Sequence, residues 1–409
     1  MKILLATFWS VPHVGGVWNY MQQLKPKLEA LGHEVDLLGH GANNQSVQLI
    51  SQNRGIEKAQ IQSLIRSKLK KESHRFSDKD GVINYYETQM AGYELGVNHL
   101  GIEEYDLIHA QDVLSTVCIN KLRAKKTSLV TSIHGSVAHE LKHSVTNILK
   151  TPTAHLACEY FDELEHKGAT SAEVTIVANN WLKNILINEF HVHDEQLEVS
   201  HYGYDIENFL NRISEQSSIK PPTNQKLLIY TGRLTEIKGI QYLISALSEL
   251  KEIRKDWICW IVGDGEMQAE LQAQTKTLGL EKWILFLGNR NDVPYLLSIS
   301  DICILPSIID NQPLAVIEAQ LAAKPVIVSD AGGLPEMVEH GITGVISPAA
   351  DPKMLCINID YLLTHEPYRN NLGSNAQKWA LSHWSPDKAI QKVINTYEKA
   401  VLKRKNTSN

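Results

Sequence analysis

The chain has 409 residues, and its 40 Lys and Arg against 46 Asp and Glu give a net charge of −6. A chain of this length with 43% hydrophobic residues buries a large core, which excludes disordered, collagenous and small disulfide-stapled proteins. The acidic balance argues against a dedicated nucleic-acid binder, because such proteins need a basic face.

The five cysteines indicate a cytoplasmic protein with reduced thiols. They lie far apart and form no Cys-x-x-Cys pair, so no zinc or iron–sulfur spacing is present: Cys118, Cys158, Cys259, Cys303 and Cys356. The apolar run at residues 1–9 is too short for a signal peptide and is interpreted as a buried strand. No uninterrupted apolar run reaches about eighteen residues, so no membrane-spanning helix is predicted.

Short apolar runs alternate with helix-period stretches, which is typical of parallel sheets wrapped by helices. In the first half, strands are predicted at residues 3–6, 35–38, 107–109, 128–132 and 174–178. In the second half, they are predicted at 226–230, 257–262, 284–287, 302–305, 325–329 and 344–346. A polar, proline-containing linker at 208–225 separates the two series. The predicted fold class is α/β, with two doubly wound, Rossmann-like domains facing a central cleft at the carboxyl ends of their strands.

Gly15 and Gly16 follow the first predicted strand and precede a helix. Adjacent glycines let the backbone approach a ligand closely, and a helix N-terminus offers free N–H groups to an anion. A tight turn between strand and helix explains the same residues equally well.

A second loop runs from Gly232 to Gly239, again between a predicted strand and a helix. Arg233 would offer a fork of donors to a diphosphate, and Lys238 a point charge. A solvated loop is the alternative, but the position at the end of a strand favours phosphate binding. The Gly-Asp-Gly at 263–265 lacks the third glycine of a dinucleotide fingerprint, so a nicotinamide oxidoreductase is disfavoured.

Asp310 and Glu318 lie eight residues apart, and Pro313 between them fits the first turn of a helix. Ionised carboxylates accept hydrogen bonds from sugar hydroxyls, so both side chains are candidates for polyol binding. Taken alone, a carboxylate favoured by the helix dipole and an unrelated Glu are the simpler explanation.

In combination these segments resemble the retaining glycosyltransferases of family four, which have the GT-B fold. The resemblance covers nearly the whole chain, and its motifs are Gly15-Gly16, Ser132–Gly135, His201–Asp205, Tyr230–Gly239, Ile261–Gly265 and Asp310-x7-Glu318 followed by Ala319–Val328. Two positions depart from the family pattern. The x7 motif usually begins with Glu instead of Asp310, and a Pro-Asn-Gly-Val-Asp segment is His-Tyr-Gly-Tyr-Asp here.

The resemblance implies roles for these residues. Arg233 and Lys238 would hold the donor diphosphate, Glu318 the nucleotide ribose, and Asp310 the hydroxyls of the transferred sugar. The substrate-binding loop would also include Asn311, Gln312, Pro313 and Leu314.

From the first domain, the resemblance places Gly16, with Gly15 beside it, under the phosphates. His134 would face the donor sugar across the cleft and, with Asp310, Arg233 and Lys238, form the catalytic set. Without the resemblance, His134 is more simply a histidine that caps a strand end.

The implied reaction is retaining transfer of a hexosyl unit from a nucleotide diphosphate sugar, with no cofactor or metal. The expected donor is a UDP-sugar such as UDP-glucose or UDP-N-acetylglucosamine, and the expected acceptor is a small molecule, a glycan or a lipid-linked sugar. Two alternatives remain open, a GT-B sugar-nucleotide epimerase or hydrolase and a non-catalytic carbohydrate-binding or scaffold protein.

Three parts of the chain are expected: an acceptor-binding domain at 1–207, a nucleotide-sugar domain at 208–385, and a final helix at 386–409 that returns to the first domain. Segment 54–75 carries seven Lys and Arg against two Glu and is predicted as a basic amphipathic helix. Such a helix either packs on its own domain or makes a peripheral contact with anionic lipid on the inner face of the membrane.

Overall fold

The computed structural model describes residues 1–12, 16–72, 75–215 and 217–408, which form two compact units. The first unit combines Met1–Ser200 with Ile390–Asn409, and the second is His201–Ala389. The division therefore lies seven residues before the boundary expected from the sequence. The cause is the segment after Ser200, where the Tyr204 amide donates a 3.0 Å hydrogen bond to the Trp384 carbonyl of the second unit.

The first unit has an eight-stranded sheet within the described residues, in the order β4-β3-β2-β1-β5-β6-β7-β8. Strand β3 pairs antiparallel with both β2 and β4, and the other pairs are parallel. The strands are β1 Lys2–Ser10, β2 Glu34–His40, β3 Ser46–Leu49, β4 Arg54–Glu57, β5 Leu107–Ala110, β6 Ser128–Ile133, β7 Val174–Val177 and β8 Leu197–Val199. The helices are α1 Gly16–Ala30, α2 Gln62–Glu72, α3 Gly81–Leu100, α4 Val113–Leu122, α5 Val137–His143, α6 Ala154–Thr170 and α7 Asn180–Asn188.

The second unit has a six-stranded, all-parallel sheet in the order β11-β10-β9-β12-β13-β14. Its strands are β9 Lys226–Thr231, β10 Trp257–Val262, β11 Ile284–Gly288, β12 Ile302–Leu305, β13 Val326–Ser329 and β14 Gly344–Ser347. The helices are α8 Ile206–Arg212, α9 Ile240–Ile253, α10 Gln268–Thr277, α11 Val293–Ser298, α12 Leu314–Leu321, α13 Pro352–Thr364 and α14 Glu366–His383. The last helix, α15, spans Pro386–Ser408.

The order of strands reverses at one point in the parallel part of each sheet. In the first unit β1 lies between β2 and β5, and in the second β9 lies between β10 and β12. Loops at the carboxyl ends of such neighbouring strands diverge to opposite faces of the sheet, which leaves a crevice for a ligand. The loops after β9 and β12 are those that carry the residues singled out in the second half of the sequence.

Helix α15 packs on one face of the first sheet. Val393, Tyr397 and Ala400 are buried in one apolar cluster with Trp18 and with residues of β1. The Tyr397 hydroxyl lies 2.8 Å from Nδ1 of the buried His109, whose Nε2 lies 2.8 Å from the Ser132 hydroxyl. Burial lowers the pKa of His109 to about 3, so this imidazole is neutral at pH 7.

The prediction of one basic helix over residues 54–75 is wrong. Residues 54–57 form β4, which pairs with β3, a short 3₁₀ turn follows at Lys58–Ile61, and α2 begins only at Gln62. Four of the cations point back onto the protein. Two of them donate hydrogen bonds, Arg54 to the Leu100 carbonyl (2.7 Å) and Lys58 to Gln89 (2.6 Å). The other two form ion pairs: Lys68 with Glu72 (2.5 Å) and Glu94 (3.0 Å), and Arg75 with Glu159 (2.5 Å) and Glu163 (2.7 Å).

Replacement of Tyr397 by Phe should destabilise the first unit by about 1–3 kcal/mol, because it leaves the buried His109 nitrogen without its partner. Chemical denaturation at pH 7 measures this change. Tyr85→Phe, at a half-exposed tyrosine, is the matched control and should leave the free energy of unfolding unchanged. Equal stabilities for the two variants would contradict a structural role for the His109 contact.

Candidate functional site

Two loops of the second unit lie side by side at the carboxyl ends of β9 and β12. The first runs from Gly232 to Gly239, and the second from Pro306 to Pro313. A backbone hydrogen bond of 2.7 Å from the Ile308 amide to the Ile237 carbonyl joins them directly. The crevice expected from the strand order is therefore lined by the two predicted motifs.

Lys238 and Asp310 form an ion pair between these loops. Lys238 Nζ lies 2.6 Å from Asp310 Oδ2, and both side chains are largely buried, with 16% and 11% of their surfaces exposed. The Ser307 hydroxyl donates to the same oxygen at 3.1 Å, and the Asn311 amide donates to Oδ1 at 3.1 Å. The carboxylate thus has a fixed orientation, and the lysine is held by its charge.

Arg233 differs from Lys238 in its surroundings. Its side chain is exposed, and among the described residues its guanidinium has no carboxylate within ion-pair distance. Its backbone carbonyl accepts a 2.8 Å hydrogen bond from the Tyr230 hydroxyl, which fixes the main chain of the loop. The guanidinium is therefore available to an anion, while the loop below it is held in place.

Two glycines allow the loop backbones to touch. Gly239 has φ 67°, and a Cβ there would lie 2.0 Å from the Pro306 carbonyl oxygen. Gly332, after β13, has φ 63°, and a Cβ there would lie 1.9 Å from the Asp310 carbonyl oxygen. The same carbonyl accepts a 2.9 Å hydrogen bond from the Gly333 amide. Any larger residue at either position would push the Asp310 loop out of place.

Glu318 lies on α12, directly after the Asp310 loop, and is half-buried. The Tyr204 hydroxyl donates a 2.7 Å hydrogen bond to its Oε1. Burial raises the pKa of Glu318, while the hydrogen bond from Tyr204 and the charge of Arg212 act in the opposite direction. The carboxylate is thus held by a donor that sequence reasoning did not identify.

The remaining residues of the predicted substrate loop shape its backbone. Pro313 is the N-cap residue of α12 and so precedes the first turn instead of lying within it, and Leu314 begins the helix. Gln312 is buried, and its Oε1 accepts a 3.2 Å hydrogen bond from the Tyr202 amide. Asn311 contributes its backbone amide to Asp310.

In the first unit, His134 follows β6 and is partly exposed. Its Nε2 donates to Oε1 of Gln111 at 3.0 Å, and its ring meets the edge of Tyr20 with centroids 5.2 Å apart. Burial lowers the pKa of His134 to about 4, so the ring is neutral at pH 7. Gly16 is the first residue of α1, where a Cβ would meet nothing within 4 Å, and Gly15 lies outside the described residues.

Two family models match this sequence and between them reach from residue 14 to residue 379. The model for Glycosyltransferase Family 4 matches residues 14–208, and the model for Glycosyl transferases group 1 matches residues 211–379. The chain belongs to the family 4 (group 1) glycosyltransferases that these two models describe.

Two relatives are also named as glycosyltransferases, and a solved structure shows the fold. An uncharacterised glycosyltransferase of Methanocaldococcus jannaschii is 27% identical over 98% of this chain and 99% of its own length. The UDP-Gal:alpha-D-GlcNAc-diphosphoundecaprenol alpha-1,3-galactosyltransferase of Escherichia coli is 26% identical over 74% of this chain and 77% of its own. The crystal structure of Anabaena HepE in complex with UDP covers 97% of this chain and 100% of its own, with 20% identity and a TM-score of 0.66. The fold is GT-B.

In this glycosyltransferase, the structure joins two residues that the sequence predicted separately. Lys238 and Asp310 are in contact, Arg233 lies on the same loop as Lys238, and Glu318 lies on the helix that follows Asp310. The contribution of Ser307 was missed, although this serine lies only three residues before Asp310. No local signal links Tyr204 to Glu318, because the two residues are 114 positions apart.

Within the described ranges, no three His, Cys, Asp or Glu side chains form a group able to hold a metal ion. No helix in the same ranges has the length and apolar character needed to cross a bilayer.

Replacement of Gly332 by Ala should destabilise the glycosyltransferase by about 1–3 kcal/mol more than replacement of Gly288 by Ala. Both glycines have nearly the same backbone conformation, with φ 63° and 64°, but a Cβ at 288 would meet nothing within 4 Å. The difference between the two variants in chemical denaturation therefore isolates the contact with the Asp310 carbonyl. Equal losses of stability in the two variants would show that the loops do not require the close approach of Gly332 to the Asp310 carbonyl.

Proposed function

We propose that this glycosyltransferase moves a hexosyl unit from a UDP-linked sugar to a hydroxyl acceptor, with retention at the anomeric carbon and without a metal ion. The observation that carries the proposal is the ion pair between Lys238 and Asp310 at the crevice of the second sheet. It puts a cation for a phosphate and an acceptor for sugar hydroxyls at adjacent positions.

The two cations of the Gly232–Gly239 loop suit a diphosphate leaving group. As the bond between the anomeric carbon and the phosphate oxygen breaks, negative charge accumulates on the terminal phosphate. Cations aimed at the position where charge develops stabilise the transition state, and this electrostatic contribution is usually the largest in catalysis. We assign this role to Lys238 and Arg233 in place of a metal ion.

Asp310 has two successive partners in this proposal. In the donor-free protein its carboxylate neutralises Lys238. When the diphosphate takes over the lysine, Asp310 becomes free to accept hydrogen bonds from hydroxyls of the transferred sugar. Ser307 and the Asn311 amide hold the carboxylate in position during this exchange. Glu318 binds the ribose hydroxyls of the same donor.

His134 and Gly16 are proposed to act from the first unit. His134 is neutral and its Nε2 is bonded to Gln111, so its tautomer is fixed. We assign it to the donor sugar and Gly16 to the phosphates. The exposed position of Gly16 at the N-terminus of α1 supports that role, because free backbone N–H groups there attract anions.

The choice of UDP and of the acceptor class rests on the relatives. The Escherichia coli relative is named for UDP-Gal and for an acceptor linked to diphosphoundecaprenol, and the HepE crystal contains UDP. These names support a UDP-sugar as donor. For the acceptor we keep three classes: a lipid-linked sugar, a glycan and a small molecule.

We also propose a cytoplasmic location with peripheral membrane contact. The five cysteines are free thiols, which suits a reducing compartment. Of the segment 54–75, the part suited to lipid is α2, because this helix exposes Leu64 together with the cations Arg66, Lys70 and Lys71. These three cations form no ion pair within the described ranges, in contrast to Lys68.

The test is UDP release from UDP-hexoses in the presence of acceptor pools of the three classes. Lys238→Ala and Arg233→Ala should each lower kcat/KM by about 100-fold or more, because each removes a charge from the leaving phosphate. Lys353→Ala, at an exposed lysine on α13, is the matched control and should retain full activity. Chelation of divalent ions should leave the rate unchanged.

The form of the product separates the proposal from its competitors. NMR of the product should show the same anomeric configuration as the donor. An inverted product would contradict retention. UDP release that does not depend on any acceptor would indicate a hydrolase, and the absence of turnover together with sugar binding would indicate a carbohydrate-binding protein.

A further inference from the structure

The segment that begins the second unit reaches the nucleotide side of the proposed donor site. Its Tyr204 hydroxyl donates to Oε1 of Glu318 at 2.7 Å. Among the described residues, no other side chain donates to this carboxylate. Oε2 and the second lone pair of Oε1 are therefore left for a ligand.

Tyr204 is held in place by its own surroundings. Its amide donates to the Trp384 carbonyl at 3.0 Å, and its carbonyl accepts from the Ile206 amide at 2.8 Å. Its ring meets the edge of Phe209, with centroids 5.9 Å apart and an interplanar angle of 73°. The main chain and the ring of the tyrosine are thus anchored by contacts other than the hydrogen bond to Glu318.

The preceding residue must be small for Tyr204 to occupy this place. A Cβ on Gly203 would lie 2.7 Å from the Pro386 Cα and 2.9 Å from the Ala389 Cβ. The chain therefore lies directly on the first turn of α15 at this point. This close approach fixes the main chain from which Tyr204 extends.

The Tyr204 hydrogen bond also favours the ionised form of the carboxylate, which is the form that accepts from both hydroxyls of a diol. Burial raises the pKa of Glu318, and the phenol hydrogen bond opposes that effect because it favours the ionised form. Burial and the nearby Glu318 raise the pKa of Tyr204 well above its ordinary value, so the phenol keeps its proton and remains the donor.

We propose that Tyr204 is a positioning residue that orients Glu318 toward the ribose diol of the donor nucleotide and so sets the preference for ribonucleotides over 2′-deoxyribonucleotides. The inference rests on the proposed function, since it takes the donor to be a nucleotide diphosphate sugar. Tyr204 itself touches Glu318 and not the reacting atoms.

The chemistry of a carboxylate and a vicinal diol explains the preference. Two adjacent hydroxyls donate one hydrogen bond each when the carboxylate plane faces them, whereas a 2′-deoxy sugar supplies only one. The terminal torsion of a glutamate is broad, so an unrestrained carboxylate samples many orientations. A donor fixed at 2.7 Å from Oε1 removes most of that freedom. The fixed orientation of the carboxylate therefore increases the affinity only for a ligand that has both hydroxyls.

The test compares the affinities of UDP and 2′-deoxy-UDP by calorimetry. Wild-type protein should prefer UDP by about 10-fold or more, the value of a charge-assisted hydrogen bond. Tyr204→Phe keeps the ring and should reduce that preference by about 3- to 10-fold, mainly through weaker binding of UDP. Tyr361→Phe, a half-exposed tyrosine on α13, removes a hydroxyl elsewhere in the same unit and should leave both affinities unchanged.

A second variant separates positioning from a general structural role. Glu318→Gln should also reduce the preference, and Tyr204→Phe combined with it should add no further reduction, since both changes act on one contact.

Four outcomes would overturn the inference. An unchanged preference in Tyr204→Phe would do so and leave the proposed function intact. An equal loss of affinity for both ligands with a lower melting temperature would reduce Tyr204 to a structural residue. Additive effects in the double variant would separate Tyr204 from Glu318. Wild-type protein that binds neither nucleotide would overturn the donor assignment and this inference together.

Discussion

The close approach of three loop backbones at the carboxyl edge of the second sheet is the constraint on which the site depends. Gly239 lies against the Pro306 carbonyl, and Gly332 lies against the Asp310 carbonyl. Between these contacts, the loop that carries Asp310 has little freedom to move. Lys238 is the residue directly before Gly239, so the same packing sets the distance of the ion pair. The position of the site's charges thus follows from main-chain contacts that only glycine permits.

The Lys238–Asp310 pair explains how two charges can be kept ready in a largely buried place. A buried ammonium or carboxylate without a partner is costly, and mutual pairing with further hydrogen bonds offsets that cost. Ser307 and the Asn311 amide supply the additional hydrogen bonds on the carboxylate. In the proposed reaction, the diphosphate replaces Asp310 as the partner of Lys238, so charge compensation is maintained when the donor binds. In the same proposal, the exposed Arg233 completes the neutralisation of the diphosphate.

Much of this arrangement could be predicted from the sequence. The apolar runs gave eleven strands that the structure confirms, because strands buried on both faces are continuous and easily recognised. Strands β3, β4 and β8 were missed. Each has only three or four residues, and the mixed polarity of Arg54–Glu57 resembles a helix as much as a strand. The antiparallel pairing with β3 decides the structure there, and the local sequence gives no sign of that pairing.

For the site, the position of Lys238 and Asp310 at strand ends could be predicted from the sequence, but their contact across 72 residues could not. Tyr204 had no local signal at all, since its partner is reached only through the packing of the second unit.

The central claim is that Lys238 binds the terminal phosphate of a nucleotide diphosphate. Calorimetric titration of UDP and UMP into the wild-type protein and Lys238→Ala tests it most directly, because the two ligands differ only in that phosphate. The account predicts that the wild-type protein binds UDP more tightly than UMP, and that Lys238→Ala lowers the affinity for UDP by about 10- to 100-fold with little effect on UMP. Equal losses for both ligands, or no loss for UDP, would contradict it.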